Sequence, residues 1–452
     1  MRLYEKEIKV PILPDHKGLL SHLDQALRFR LRDGASPLRV AVTETDAENY
    51  HCEIGVTAGD GADHSPDSIL KFIRRGGENA EHFNAVLLVP TGIGAEIGGH
   101  AGDATPVARL LAESCDQLIT HPNVVNASDL NEMPDGTLYV EGSVITRLLM
   151  GTAGLRPVRA NRVLVVIDAH EDSLFSDAAV NAVSAARAAY GLDCPRVVHL
   201  DPPVKLRALY SASGRATGEV TNLDYLWEVL EEYRHEFDAI AISTVIEVPE
   251  AYHQEYFVSA GGMVNPWGGV EALLTHAMSS RYNVPSAHSP MFESRGIANV
   301  DPGVVDPRMA AEAISVTFFQ CVLKGLRRSP RIVTDEQEMH RPGVITAADV
   351  SCLVIPDGCL GLPTIAALEQ GIPVIAVREN ENLMRNDLTA LPWAPGQLRV
   401  VENYWEAVGV MGALKAGIAP ESVRRPLAPT AVEHKVKAAA NEVSAKARRT
   451  PS

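Results

Sequence analysis

Four segments of the chain combine residue types and spacings that chemistry can use. The densest covers residues 90–106, where Gly92, Gly94, Gly98, Gly99 and Gly102 lie between an apolar run at 85–89 and a helical run. Glycine admits positive φ and lets a ligand approach the backbone closely. With Thr105 as N-cap and Pro106 at the first helical position, free N–H groups and the positive helix end would face this loop. That setting suits a carboxylate or a phosphate, with Thr91 as a ligand contact and Asp103 as a candidate catalytic residue. The spacing fits neither G-x-G-x-x-G nor G-x-x-x-x-G-K-[ST], which excludes a dinucleotide fingerprint and a P-loop.

The second segment, 118–126, is a short apolar run ending in His121, Asn123 and Asn126. An imidazole titrates near neutrality, so His121 is a candidate general acid or base, and the two Asn can hold a carbonyl. In the third, 259–271, glycine pairs including Gly268 and Gly269 flank Asn265-Pro266 and lead to Glu271 and His276, with His288 following in 285–290. Glu271 and His276 are five residues apart, about 140° around a helix, and are not paired. His121 and His288 together read as an acid/base pair. A metal shared by these two and Asp103 is not expected, because no H-E-x-x-H or H-x-H spacing supports it. The fourth segment, 352–377, places Asp357 and Gly358 at a strand end as ligand contacts. Cys359 there is a candidate nucleophile at a helix start, with a buried inert thiol as the alternative. Arg378, Glu379 and Asn380 would line the same rim.

These segments need strands and helices to position them. From residue 83 onward, apolar runs of four to eight residues alternate with helical stretches at 177–190, 224–235, 269–281 and 307–326. That alternation predicts an α/β fold, with mostly parallel, Rossmann-like sheet structure covered by helices on both faces. Its core would span 83–430, in two possible halves at 83–330 and 331–430. Ligands in such sheets gather at the carboxyl ends of strands, where all four segments lie. Residues 1–82, with a hairpin at 38–43 and 51–56, read as a small α+β appendage or as extra edge elements of the main sheet. Residues 431–452 read as a basic terminal helix or tail. The stretches 89–92 and 355–358 echo one another, which hints weakly at duplication.

Composition narrows the function. The chain has 452 residues, a net charge of −16 and 46% hydrophobic content. An acidic surface repels phosphate backbones, so no nucleic-acid partner is expected. No run is long enough to span a membrane, and the charged N-terminus lacks the apolar core of a signal peptide. Six Cys without a C-x-x-C pair argue for a reducing cytoplasm. The expected partner is a small anionic metabolite, with a homo-oligomer possible; no cofactor is implied.

The residues at 88–94, 98–99, 101–104 and 119–124, with Gly269-Val270-Glu271-Ala272 and Pro285-Ser286-Ala287-His288, resemble the family called domain of unknown function 3326. The likeness covers roughly residues 83–400; residues 1–82 and His100 fall outside its pattern. It implies one α/β unit and draws attention to the same loops, and it brings no activity. The expected function is a small-molecule hydrolase, lyase or isomerase using histidine acid/base chemistry. The alternatives are a nucleotide- or sugar-nucleotide-dependent transferase and a non-catalytic metabolite-binding protein.

Overall fold

Runs such as Asn84–Leu87 and Val350–Pro356 are buried at every position, the pattern of strands covered on both faces. The computed structural model describes residues 1–31, 34–59, 68–127, 132–259, 262–315 and 318–435. Its first strands are β1 (Arg2–Pro11), β2 (Ser36–Thr45), β3 (Asn49–Ala58), β4 (Asn84–Leu87), β5 (Gln117–Thr120) and β6 (Leu138–Tyr139). Next come β7 (Gly154–Arg156), β8 (Arg162–Asp168), β9 (Asp193–Leu200), β10 (Lys205–Tyr210), β11 (Ala216–Thr221) and β12 (Ala239–Glu247). The last are β13 (Ser286–Met291), β14 (Arg331–Val333), β15 (Val350–Pro356), β16 (Leu360–Gly361), β17 (Val374–Val377) and β18 (Leu398–Val401).

One sheet is six-stranded and wholly parallel, in the order β18-β17-β15-β4-β5-β6. The chain winds outward from β4 through β5 to β6, returns to β15 beside β4, and winds outward the other way. This is the 3-2-1-4-5-6 order of doubly wound sheets, with its switch point between β4 and β15. Right-handed crossovers then put helices Thr105–Ala112 and Leu362–Gln370 on opposite faces. The first packs against helix Tyr404–Lys415, the second against helices Gly142–Leu149 and Leu19–Arg30.

The other large sheet is mixed. Its path β16-β2-β3-β1-β11-β10 is antiparallel, β10, β12, β8 and β9 continue it in parallel, and β13 also pairs with β12. It curls about helix Gly268–Tyr282, which packs against β1, β2, β10, β11 and β13 and buries residues on all sides. Close approach demands glycine on the sheet. A Cβ at Gly218 would stand 2.5 Å from Val270 Cβ, and one at Gly55 2.9 Å from Leu273 Cδ1.

The α/β class and the alternation of elements hold, but three expectations need correction. Parallel strands fall into two sheets, because β8 joins β12 in the mixed sheet rather than the six-stranded one. Residues 1–82 are no appendage: β1 lies between β3 and β11, and β2 pairs with β16 from residue 360 onward. A boundary at residue 330 would cut the six-stranded sheet, which takes strands from both sides of it. Helix Ser173–Tyr190 ends at Gly191 in the left-handed region, as its sequence predicts. The stretch 307–326 is broken into Pro307–Met309, Ala310–Ile314 and Phe319–Leu326. Residues 431–435 form no helix, and the remainder of the basic tail lies outside the described residues. Among the described residues no single helix is long and apolar enough to cross a membrane.

Candidate functional site

A cavity of about 320 Å³ opens beside the switch point, where the loops after β4 and β15 meet the start of helix Gly268–Tyr282 and the end of β13. Its wall includes Thr91, Gly92, Gly99, His100, His121, Asn123, Asn126, Gly268, Glu271, His276, His288 and Cys359. Ligands in open α/β sheets bind at such a crevice.

The glycine loop forms a wall of the cavity, and much of its backbone is already partnered. The Val89 amide donates to His121 Nε2 at 3.2 Å, and Asn123 Nδ2 donates to the carbonyls of Val89 and Gly98. The Glu96, Ile97, Gly98 and Ala101 amides donate to Glu381 O, Asn380 Oδ1, Asp103 and Glu312 Oε1. The glycines serve packing. A Cβ at Gly98 would meet Val89, one at Gly99 the Ala95 carbonyl at 2.2 Å, and one at Gly102 the Ala127 Cβ at 2.1 Å. The N-cap of the next helix is Ala104 and not Thr105, whose hydroxyl is buried without a partner.

His121 caps a one-turn helix, Pro122–Val125, at the end of β5. Burial lowers its pKa to about 4, so the ring is neutral at physiological pH. Because Nε2 accepts the Val89 amide, the proton sits on Nδ1, which makes no hydrogen bond and is the nitrogen left to meet a ligand. His276, on helix Gly268–Tyr282, has Nε2 3.0 Å from Glu141 Oε2, while its Nδ1 is sealed without a partner. Glu141 caps helix Gly142–Leu149 by accepting the Ser143 and Val144 amides, yet burial still raises it to about 7. Burial, then Arg39, His121 and Arg215, push His276 well down. Near neutral pH it is therefore Glu141 that takes up or releases a proton, beside a neutral His276.

His288 is the enclosed member of the set. Its side chain has no exposure; Nε2 lies 2.9 Å from Thr244 Oγ1, and Nδ1 lies 3.4 Å from Glu271 Oε1 without hydrogen-bond alignment. His100 Nδ1 meets Tyr256 OH at 2.6 Å, and burial lowers His100 to about 4. Glu312, raised to about 7 by burial, accepts Ala101 N and Asn265 Nδ2.

Two guanidiniums complete the wall. Arg39 Nε donates to Glu5 Oε1 at 2.5 Å, and Arg215 bridges Glu5 Oε2 at 2.9 Å and Glu53 Oε2 at 2.6 Å. Gly55 lies across from both Arg39 and Glu5, and the absence of a side chain there lets the arginine lean over β3.

Of the residues expected from sequence, Gly94, Gly98, Gly102, Gly269, Asp103, Asp357 and Gly358 lie outside the cavity wall. Asp103 staples the Gly98 amide, with burial raising it to about 7, and Asp357 accepts the amide of Gly358. Asn126 accepts Tyr139 OH. Cys359 lines the wall, but burial raises its thiol well above the usual range, so no thiolate forms at neutral pH. Sequence reading missed Glu141, Thr244, Arg39 and Arg215 and left His276 without a partner. Glu is not among the usual helix caps, so Glu141, like the others, becomes recognisable only through the fold. Among the described residues no cluster of three or more His, Cys, Asp or Glu is arranged to hold a metal ion.

A family model described as "Protein of unknown function (DUF3326)" matches residues 84–424, from the first residue of β4 to beyond helix Tyr404–Lys415. A protein of Synechococcus sp., described as an uncharacterized lipoprotein, is 33% identical over 343 residues, 75% of this chain and 92% of that protein. No solved structure matches the chain. A match that spans both the six-stranded sheet and most of the cavity wall means that the chain belongs to the DUF3326 family.

Proposed function

We propose that the cavity binds a small anionic metabolite and moves a proton on it, in a reaction of the lyase, isomerase or hydrolase kind. The observation that carries this reading is the His276–Glu141 pair beside a neutral His121 on one cavity wall. The pair accepts or releases a proton near pH 7, since Glu141 sits at about 7. His121, fixed as the Nδ1–H tautomer, donates to an oxygen on which charge develops, as a neutral imidazole can. His288 engages Thr244 and is assigned no step in this reading.

The test is an untargeted one. The protein is incubated with a small-molecule extract in deuterium oxide, and mass spectrometry reads which compounds gain deuterium or change mass. The expected result is a compound whose conversion slows by roughly 10²–10⁴-fold in His276→Gln, with melting temperature retained. Equal conversion by a folded His276→Gln variant overturns the reading. The 3-2-1-4-5-6 strand order also favours a second reading, a nucleotide-dependent transferase. A thermal shift with nucleotides but not with small acids would support it.

For compartment we propose the reducing cytoplasm, supported by six cysteines that are all buried free thiols. The Synechococcus relative is described as a lipoprotein, so the intact mass of protein from its native cells decides. A lipid adduct overturns the cytoplasmic reading.

A further inference from the structure

The polar atoms of the cavity are not equally satisfied. Glu141 has two backbone amides and His276, and Glu312 has the Ala101 amide and Asn265. Glu293 accepts the Val248 amide. Arg39 and Arg215 differ: Arg39 Nε and the Nε and Nη2 of Arg215 donate to Glu5 and Glu53. Arg39 Nη2 is buried against Glu5 Oε1 without hydrogen-bond alignment, and no hydrogen bond uses Nη1 of either. Their side chains are only 12% and 4% exposed, and both line the cavity. A buried N–H without an acceptor is costly, so Arg39 Nη2 calls for one, and the two Nη1 groups beside it are donors to spare. Glu5 lies against both guanidiniums, one through each carboxylate oxygen, so the two arginines sit side by side.

We infer that Arg39 and Arg215 form the head-group subsite of a monocarboxylic acid with a largely apolar body. Two arginines and two glutamates sum to zero charge, so the subsite suits one negative charge better than the two of a phosphate monoester. Apolar side chains make up much of the rest of the wall, with Val40, Leu88, Ile93, Ile246, Leu360 and Phe257 among them. Arg39 and Arg215 both act on His276 electrostatically, so a head group held there lies near the proton-transferring pair. Arg39 comes from β2, outside the span of the family match, so the subsite joins the N-terminal strands to the family core.

The inference rests on the reading that this cavity is the functional site, and the experiment separates the two. Hexanoate, hexanamide, hexylamine and hexyl phosphate share one body and differ in head group. Calorimetry on the full chain should show hexanoate binding at least roughly tenfold more tightly than the other three, since a charge-assisted pair is strong. Arg39→Gln should reduce hexanoate to the level of the amide. Should Arg39→Gln fail to fold, the paired variant Glu5→Gln/Arg39→Gln removes both charges together and is expected to give the same loss. Tighter binding of the amine or the phosphate, equal binding of the amide, or no binding of any of the four overturns the inference. Binding of hexanoate without proton transfer on any compound leaves the subsite standing and removes the proposed reaction.

Discussion

At the scale of single residues, His121 joins structure and chemistry in one ring. Its Nε2 closes the end of β4 through the Val89 amide, so replacing it orphans a buried donor. His121→Ala should therefore lose about 1–3 kcal/mol of stability as well as any donor function, measured by urea unfolding beside a binding assay. His276 lacks that backbone role, so His276→Gln should separate chemistry from stability. Asp168 presents a different case. It ends β8 with 1% exposure and both carboxylate oxygens unpartnered. Burial raises it to about 8 from 3.8, the Val204 amide opposing outside hydrogen-bond geometry. The folded state thus holds this proton where the unfolded chain has released it, so raising the pH through that window costs stability. The slope is on the order of 1 kcal/mol per pH unit, and the loss is complete above pH 8 or so. Asp168→Asn should flatten the decline in urea midpoint between about pH 4 and 8; an unchanged slope means that Asp168 is not its source.

At the scale of elements, the glycine loop shows how one composition serves two purposes. Read as a sequence, five glycines before a proline-led helix form a cradle for an anion. Folded, the Ile97, Gly98 and Ala101 amides meet Asn380, Asp103 and Glu312, and each glycine marks a contact that a Cβ would prevent. Gly102 has φ +80° and the Ala127 Cβ 2.1 Å from where its own would stand. Gly102→Ala should therefore cost roughly 1–3 kcal/mol, through backbone strain and overpacking, in thermal or urea unfolding. A neutral result would mean that the loop relaxes at no cost. Helix Gly268–Tyr282 is the complementary case. Its apolar residues point all ways because the mixed sheet curls around it, and that leaves His276 and Glu271 to reach separate partners, Glu141 and His288. Their angular separation was legible; those partners, 135 residues upstream and 17 downstream, were not.

At the scale of the whole molecule, the N-terminal strands are structural necessities. β1 pairs along its full length with β3 and again with β11, so deleting residues 1–58 would leave β11 and the curled sheet with an open edge. The truncated chain should be insoluble or lack a cooperative thermal transition, and a folded truncation would show that the family core stands alone. Sequence by itself determined the α/β class, the strands and helices around β4, β8, β12, β15 and β17, and the Gly191 helix stop. These rest on hydrophobic period, proline and glycine, which act within a few residues along the chain. Of the three polar tips that sequence gathered at one rim, His121 follows β5, His288 lies inside β13 and Asp357 lies outside the cavity wall. Only the tertiary structure decided that the parallel strands divide between two sheets, that β1–β3 complete one of them, and that Arg39, Glu141 and Arg215 meet around His276. Alternation of apolar residues records that a face is buried but not against which strand. A charged side chain likewise carries no mark of the distant partner that makes its burial tolerable. The His276–Glu141 pair and the paired guanidiniums exist because β2, β11, helix Gly142–Leu149 and helix Gly268–Tyr282 converge on one volume.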